Sequence, residues 1–326
     1  MSLFAPSYYA SFRCIAGDCR HSCCIGWEID IDPDTLTRYN ALPPRERKAI
    51  LSHTATEKGC TSFRLTADER CPFLTSDGLC RLILSHGEGI LCDICREHPR
   101  FYNSFSDRTE VGLGLCCEAA AELILTHPEP FGLVCIENDT SDENGVTDPF
   151  EADFFSERSD VFRILCDRTL PLSARINRLT KRYSLSLAAI YESDRRWQRV
   201  YRNLERLDPA WDDALTAWER ASLPASGIAD PIFESAAEQL IAYFLYRHLA
   251  DAICDGRYPE RVAFALLSTH VICSVAAARS GTPDPDTLID TARAYSAEVE
   301  YDEENVDAIL CELGSSPIPC PGYPIA

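Results

Sequence analysis

Apolar residues recur at helical spacing through most of the second half of the chain. Ile241, Phe244, Leu245, His248 and Leu249 form one stripe, and Val262, Leu266, Leu267, His270 and Val271 form another. Steps of three and four place each set on one helix face. Start signals accompany the stripes: Pro231 behind Asp230 reads as a proline at the first helical position after an N-cap, and Asp284-Pro285 opens a further helix in the same way. A last short helix is expected over 302–310. Alternation at period two is missing from this half, so a doubly wound sheet finds no support. Nor does a Gly-x-Gly turn follow a β-like run; Gly112-x-Gly114 is the nearest match, and it lies in a different part of the chain.

The front of the chain is patterned otherwise. Turn formers interrupt it at Gly17-Asp18, Asp32-Pro33, Pro43-Pro44, Ser76-Asp77-Gly78, and Gly87 with Gly89. Brief helices are expected over 34–40, 44–52 and 118–126, with loops between them. From 137 to 160 the sequence becomes acidic and irregular, with Arg158 its only basic residue, as in a linker or surface loop. The expected architecture is mainly α. A cysteine-rich module of short helices and loops over 1–135 and an acidic segment over 136–160 precede an α-helical body over 161–326, on which the module packs.

Cysteine changes this picture most. Eleven of the 17 cysteines fall in the first 117 residues: Cys14, Cys19, Cys23, Cys24, Cys60, Cys71, Cys80, Cys92, Cys95, Cys116 and Cys117. Thiolates bind Zn²⁺ and iron–sulfur clusters strongly, and spacings such as Cys19-x3-Cys23 and Cys92-x2-Cys95 let one turn present two sulfurs to one centre. A disulfide framework suits small secreted chains, whereas 326 residues can bury a core, and no basic segment followed by an apolar one opens the chain. A reducing cytoplasm and bound metal are therefore expected. Cys135, Cys166, Cys254, Cys273, Cys311 and Cys320 are scattered singly, as buried small hydrophobes.

Composition narrows the partners. A formal net charge of -20 opposes binding to a phosphate backbone. The apolar stretches around 264–267 and 275–278 fall short of the ~18 residues that a membrane helix needs. Arg175, Arg178, Lys181, Arg182, Arg195, Arg196, Arg199 and Arg202 make one basic stripe, either a solvated face or a contact for an acidic partner.

The string Tyr8-Tyr9-x2-Phe12-x-Cys14-Ile-x-Gly-x-Cys19-x3-Cys23-Cys24-x-Gly26-Trp27-x-Ile29-x-Ile31-Asp32 resembles the opening of the flagellin lysine-N-methylase family. Cys71-Pro-Phe-Leu, Gly78-Leu-Cys80, Cys95-Arg-Glu-His-Pro-Arg100 and Cys116 before Glu118-Ala-Ala follow in the family's order. Shorter zinc- or iron-chelating relatives carry a similar CxxCxxCC core. The resemblance covers residues 8–126 closely and the helical half only loosely, through Tyr295 and the stretch from 300 to 310.

It implies metal ligation by Cys14, Cys19, Cys23, Cys24, Cys71, Cys80, Cys95 and Cys116. Cys117 stands where the family has proline, and Cys60 and Cys92 have no place in the pattern. Eight thiolates exceed one tetrahedral Zn²⁺, so two zinc ions or an iron–sulfur cluster, a four-iron, four-sulfur one foremost, are the alternatives. The radical-type loop Cys-x3-Cys-x2-Cys is not met, since Gly26 occupies its third cysteine position. His21 and His98 stand beside these cysteines as ligands or supporting groups; Arg96 and Arg100 either neutralise a cluster or are solvated.

The implied reaction is methyl transfer from S-adenosylmethionine to lysine ε-amines of flagellin. No donor site or catalytic base is legible. Glu28, Glu118, Tyr295 and Glu300 are residues to test, Trp27 is a channel floor or a core residue, and His248 and His270 suit core positions. The rival readings are a non-enzymatic iron–sulfur or zinc protein, structural or redox-active, and a helical scaffold for a secretion or flagellar partner.

Overall fold

The computed structural model describes residues 2–138, 148–191, 194–221, 233–280 and 284–314. They form two compact units, one made of 13–101 with 117–119, and the other of the first 12 residues, 102–116 and everything from 120 onward. These units cut the chain at places other than the sequence division at 135 and 160.

The reason is a sheet that periodicity did not announce. Among the described residues there are six strands: β1 Ser2–Pro6, β2 Thr54–Glu57, β3 Cys60–Phe63, β4 Arg100–Ser104, β5 Arg108–Leu113 and β6 Leu133–Glu137. Four of them make one sheet in the order β4-β5-β1-β6, with β1 parallel to β5 and antiparallel to β6. The chain thus leaves the sheet after β1 and returns to it at β4 and β5, so the intervening residues form a unit of their own. Gly112 lies in β5 and Gly114 just beyond it, ahead of a helix at Glu118–Leu125, so a strand does precede this Gly-x-Gly after all. Even so, the sheet is small and is not doubly wound.

Helices dominate the larger unit, as expected. Glu234–His248 is buried at every position from 237 to 246, and Tyr258–Ser280 at every position from 261 to 276. Helices apolar all round belong in a core. Tyr258–Ser280 is long and apolar enough to cross a membrane by length and composition, contrary to the expectation that nothing in the chain reaches that length. It is 83% buried over that window, packed by Glu234–His248, Ala210–Arg220, Pro285–Tyr295 and Glu303–Leu313.

The acidic stretch is corrected in part. Pro149–Leu165 is a helix, capped by the Asp148 carboxylate on the Phe150 N–H and burying Phe154, Arg158, Val161 and Leu165 at helical spacing. Its acidic residues occupy the outer face, which hid the stripe. Residues 139–147, and the start signal at Asp230-Pro231, lie outside the described residues. Buried Arg158 meets Glu110 of β5 through two hydrogen bonds of 2.6 Å and ties this helix to the sheet.

In the smaller unit, Pro33–Ala41 and Pro44–Leu51 appear where expected, the first capped by Asp32 on the Thr35 N–H. Short helices at Arg81–His86 and Asp93–Glu97 and the antiparallel β2–β3 hairpin complete it. Its core gathers Ile29, Ile31, Tyr39, Ile50, Phe63, Phe73, Leu74, Leu82 and Ile90 together with buried Cys71 and Cys92.

Candidate functional site

Five cysteines of the smaller unit meet at that core. Cys71 and Cys92 are buried in it, and Cys24, Cys80 and Cys95 pack against it. Backbone pairing places them. The Cys71 N–H donates to the Cys24 carbonyl at 2.8 Å, beside an antiparallel bridge of Ile25 with Arg70. Cys80 bridges Leu74 across a tight turn held by the Thr75 hydroxyl, which accepts the Leu79 N–H at 2.9 Å. Cys92 and Cys95 bracket the first turn of Asp93–Glu97, whose Asp93 N–H donates to Asp32 at 2.9 Å. A thiol hydrogen bond from Cys95 to Cys92 pushes Cys95 up and holds Cys92 below the ordinary thiol value.

Cys14, Cys19, Cys23 and Cys117 form a second neighbourhood, in which the charges of Cys14 and Cys117 act on Cys23 and that of Cys117 acts on Cys19. Glu118 shapes it. One carboxylate oxygen accepts the Arg20 N–H at 2.9 Å and the Cys19 thiol at 3.7 Å, and the other accepts the Arg20 guanidinium at 2.7 Å, with His21 Nδ1 3.2 Å from the first. Desolvation opposes ionisation of Glu118, and the Arg20 and His21 hydrogen bonds outweigh it, so the carboxyl titrates below its usual range. Cys23 and Cys24 link the two neighbourhoods. The hydrogen bond from Cys23 brings Cys24 down to about 7, while burial raises Cys71 to about 11.

A close backbone approach joins the loops. A Cβ on Gly17 would lie 2.5 Å from the Asp77 carbonyl oxygen, and one on Gly78, which has a φ of +74°, would lie 3.0 Å from the Gly17 Cα. The loop carrying Cys14 and Cys19 is thereby seated on the turn that carries Cys80. These are the glycines of the two sequence motifs.

Of the eight cysteines implied as ligands, the smaller unit holds Cys14, Cys19, Cys23, Cys24, Cys71, Cys80 and Cys95. Cys116 belongs to the helical unit, buried, with its thiol in a hydrogen bond with Tyr301. Cys92 and Cys117, which the motif pattern passed over, stand among the other thiols; the Cys92-x2-Cys95 spacing was the available signal for the first. Cys60 is exposed on β3. All eleven of these cysteines are free thiols, and among the described residues no three His, Cys, Asp or Glu side chains converge closely enough to hold a metal ion. Among the later cysteines that are described, Cys273 is buried as expected, Cys135 and Cys254 are exposed, Cys166 is half-buried, and Cys311 takes part in a disulfide; Cys320 lies outside the described residues.

Other candidates are dispersed. Glu28 is exposed, whereas Tyr295 and Glu300 are buried in the helical unit. Tyr295 donates to the Ser268 hydroxyl at 2.8 Å and shares a hydrogen bond of 2.8 Å with Tyr201. His248 lies 2.8 Å from Glu300, and His270 packs 5.0 Å from the Tyr191 ring. Burial and the Arg100 charge depress the His98 imidazole. Much of the basic stripe is neutralised: Arg175 pairs with Glu238, Arg178 with Asp167, Arg182 with Glu157, Arg196 with Glu312 and Arg202 with Glu219.

Comparison with known proteins yields relatives over part of the chain. The chain matches no family profile and no solved structure. It is 29% identical over 134 residues to the lysine-N-methylases of Salmonella typhimurium and Salmonella choleraesuis, covering 39% of this chain and 33% of each relative. It is 26% identical over 134 residues to the flagellar biosynthetic protein FliU of Salmonella muenchen, covering 39% of this chain and 79% of that one. The chain thus spans about a third of the length of the lysine-N-methylases it matches. Over 134 residues the chain is thus similar to lysine-N-methylases and to FliU, which supports the family that the sequence resembles.

Proposed function

We propose that this protein is a lysine N-methyltransferase that acts on flagellin, with S-adenosylmethionine as the donor and a thiolate-bound iron–sulfur cluster or zinc. The observation that carries the reading is the cysteine motif series, in the family's order, on a chain similar to lysine-N-methylases and to a flagellar protein. In the reaction, the nitrogen of a neutral lysine amine forms a bond to the methyl carbon as the sulfonium–carbon bond breaks. The electron pair stays on sulfur, and a proton leaves the nitrogen. Rate then depends on in-line placement and on desolvating the amine.

The donor set suits a thiophilic centre in kind and number, and its thiols would have to draw closer to hold one. Cys24, Cys71, Cys80, Cys92 and Cys95 would hold metal at the core, and Cys14, Cys19, Cys23 and Cys117 beside Glu118, with Cys92 and Cys95 hydrogen-bonded within the first set and Cys23 to Cys24 across the two. When bound, the metal would cross-link the loops that carry these thiols. Glu118 orients the Cys19 loop through the Arg20 N–H, and Asp32 orients the Cys92 turn through the Asp93 N–H. Work in a reducing cytoplasm agrees with the free thiols of this unit.

The test is iron, sulfide and zinc analysis of anaerobically purified protein, combined with calorimetric titration by S-adenosylmethionine. Stoichiometric metal together with donor binding supports the enzyme. Metal without donor binding transfers the case to the non-enzymatic metal protein.

A further inference from the structure

In the helical unit, one buried carboxylate organises the surroundings of Cys116. Glu300 ends the π-helical stretch Ser296–Glu300, and its side chain has no exposed surface. One oxygen faces His248 Nε2 at 2.8 Å and Arg247 Nε at 3.2 Å; the other accepts the Tyr243 hydroxyl at 2.8 Å and the Ser296 hydroxyl at 2.5 Å. Four polar neighbours match the four acceptor positions of an ionised carboxylate. The wide π turn, closed by the Tyr301 N–H on the Ser296 carbonyl at 3.1 Å, brings Ser296 and Glu300 together and aims Tyr301 onward.

Two arms leave this centre and end on consecutive residues. The Tyr243 hydroxyl accepts the backbone N–H of Leu115 at 3.2 Å, and an Arg247 N–H at 3.0 Å fixes its orientation. Tyr301 shares a hydrogen bond with the Cys116 thiol, and the Arg247 guanidinium lies 4.8 Å over the Tyr301 ring. Three other buried acids of the unit behave differently: Glu298 accepts the Leu207 and Asp208 backbone N–H groups, and the other two form ion pairs. Glu110 closes on Arg158, and Glu238 on Arg175 and Arg168, as ion pairs between elements. The second buried hydroxyl chain, Tyr201–Tyr295–Ser268, carries no hydrogen bond to a cysteine among the described residues.

We propose that Glu300 is a positioning residue for Cys116: through Tyr243 and Arg247 it fixes the Leu115–Cys116 backbone and the Tyr301 ring, and so presents the thiol in one orientation. This rests on the family resemblance behind the methylase reading, which implies Cys116 as a thiolate ligand beyond the two thiol sets of the smaller unit.

The experiment alkylates the reduced, metal-free full-length chain with iodoacetamide and follows Cys116 and Cys273 separately by peptide mass mapping. Cys273, fully buried in Tyr258–Ser280, reports any general loosening of the unit. Tyr301→Phe and Tyr243→Phe should speed modification of Cys116 by roughly three- to tenfold, the span that loss of one buried hydrogen bond corresponds to, and leave Cys273 unchanged. Tyr295→Phe should alter neither site. Glu300→Gln leaves an amide facing four polar groups and can cost the fold, so the two tyrosine variants decide the matter. An unchanged Cys116 rate in both, or equal acceleration of Cys116 and Cys273, overturns the proposal. Anaerobic reconstitution with iron or zinc separates it from the reading beneath it. A wild-type chain that binds no metal sinks the ligand reading, while the alkylation rates still decide whether Glu300 positions the thiol. If iron binds, its thiolate-to-metal absorption should shift in Tyr301→Phe and not in Tyr295→Phe; an unshifted spectrum overturns the positioning of a ligand.

Discussion

Gly17→Ala is expected to unseat the first cysteine loop from the turn that carries Cys80. The added Cβ would lie 2.5 Å from the Asp77 carbonyl oxygen, where ordinary contact begins at 3.4 Å, so one backbone must withdraw by about 0.9 Å. Neither strand of chain can yield easily. Gly78, next to Asp77, approaches the Gly17 Cα in return and holds a φ of +74°, which an L side chain adopts at a cost of about 1–2 kcal/mol. Overpacking of this kind costs about 1–3 kcal/mol, and a middle value corresponds to a fall in melting temperature on the order of 10 °C for a unit of this size. Gly89→Ala is the matched control, since nothing lies within 4 Å of its added Cβ. Guanidinium unfolding of the three proteins under reducing conditions measures the difference, and alkylation of Cys19 and Cys80 reports where it arises. Gly17→Ala as stable as Gly89→Ala, with both thiols no more reactive than in wild type, would refute the reasoning.

Two further substitutions probe how each unit is held. Partial burial opposes ionisation of Asp32, but hydrogen bonds from the Asp93 and Thr35 N–H groups outweigh it and hold the carboxyl down to about 2. A folded-state value below the unfolded one, about 3.9, means that its contribution is complete above roughly pH 4 and disappears as pH falls through about 2. Asp32→Asn keeps the cap but loses the acceptor for Asp93, so it should lower stability by about 1 kcal/mol near neutrality, with the gap closing between those pH values; a gap that persists at low pH would contradict this. In the helical unit, Glu110→Ala strands a buried guanidinium on Arg158 and should cost about 3–5 kcal/mol in urea unfolding, whereas Glu110→Leu with Arg158→Leu should recover most of it. A loss near 1 kcal/mol for the single variant would show that water reaches the pair.

What the chain disclosed before its structure was known divides by range of interaction. Helices with local signals were legible: Asp32-Pro33, Asp284-Pro285 and Asp302 each cap the helix that follows. Strands were not, because β1 pairs with β5 and β6 across more than a hundred positions, and β5 is buried at four consecutive residues and so shows no alternation. The helix at Pro149–Leu165 was hidden by acidic residues on its outer face. At the site, the cysteines declared themselves through spacing and motif order. Their partition did not: Cys116 and Cys117 are neighbours in sequence, yet Cys116 meets Tyr301 in one unit and Cys117 belongs with Cys19 and Cys23 in the other. Glu118 stood out as an acid beside the motif, but its work on the Arg20 N–H required the folded loop.

The central claim is that this chain methylates lysine and depends on its thiolates to do so. Anaerobically purified, metal-reconstituted protein incubated with isotopically labelled S-adenosylmethionine and the host's flagellin tests it directly, read by peptide mass spectrometry. Labelled methyl groups on flagellin lysines are expected with the wild-type chain and none with Cys95→Ser, which should also lose its metal. Fully metal-loaded wild-type protein that neither binds the donor nor labels any lysine would contradict the account.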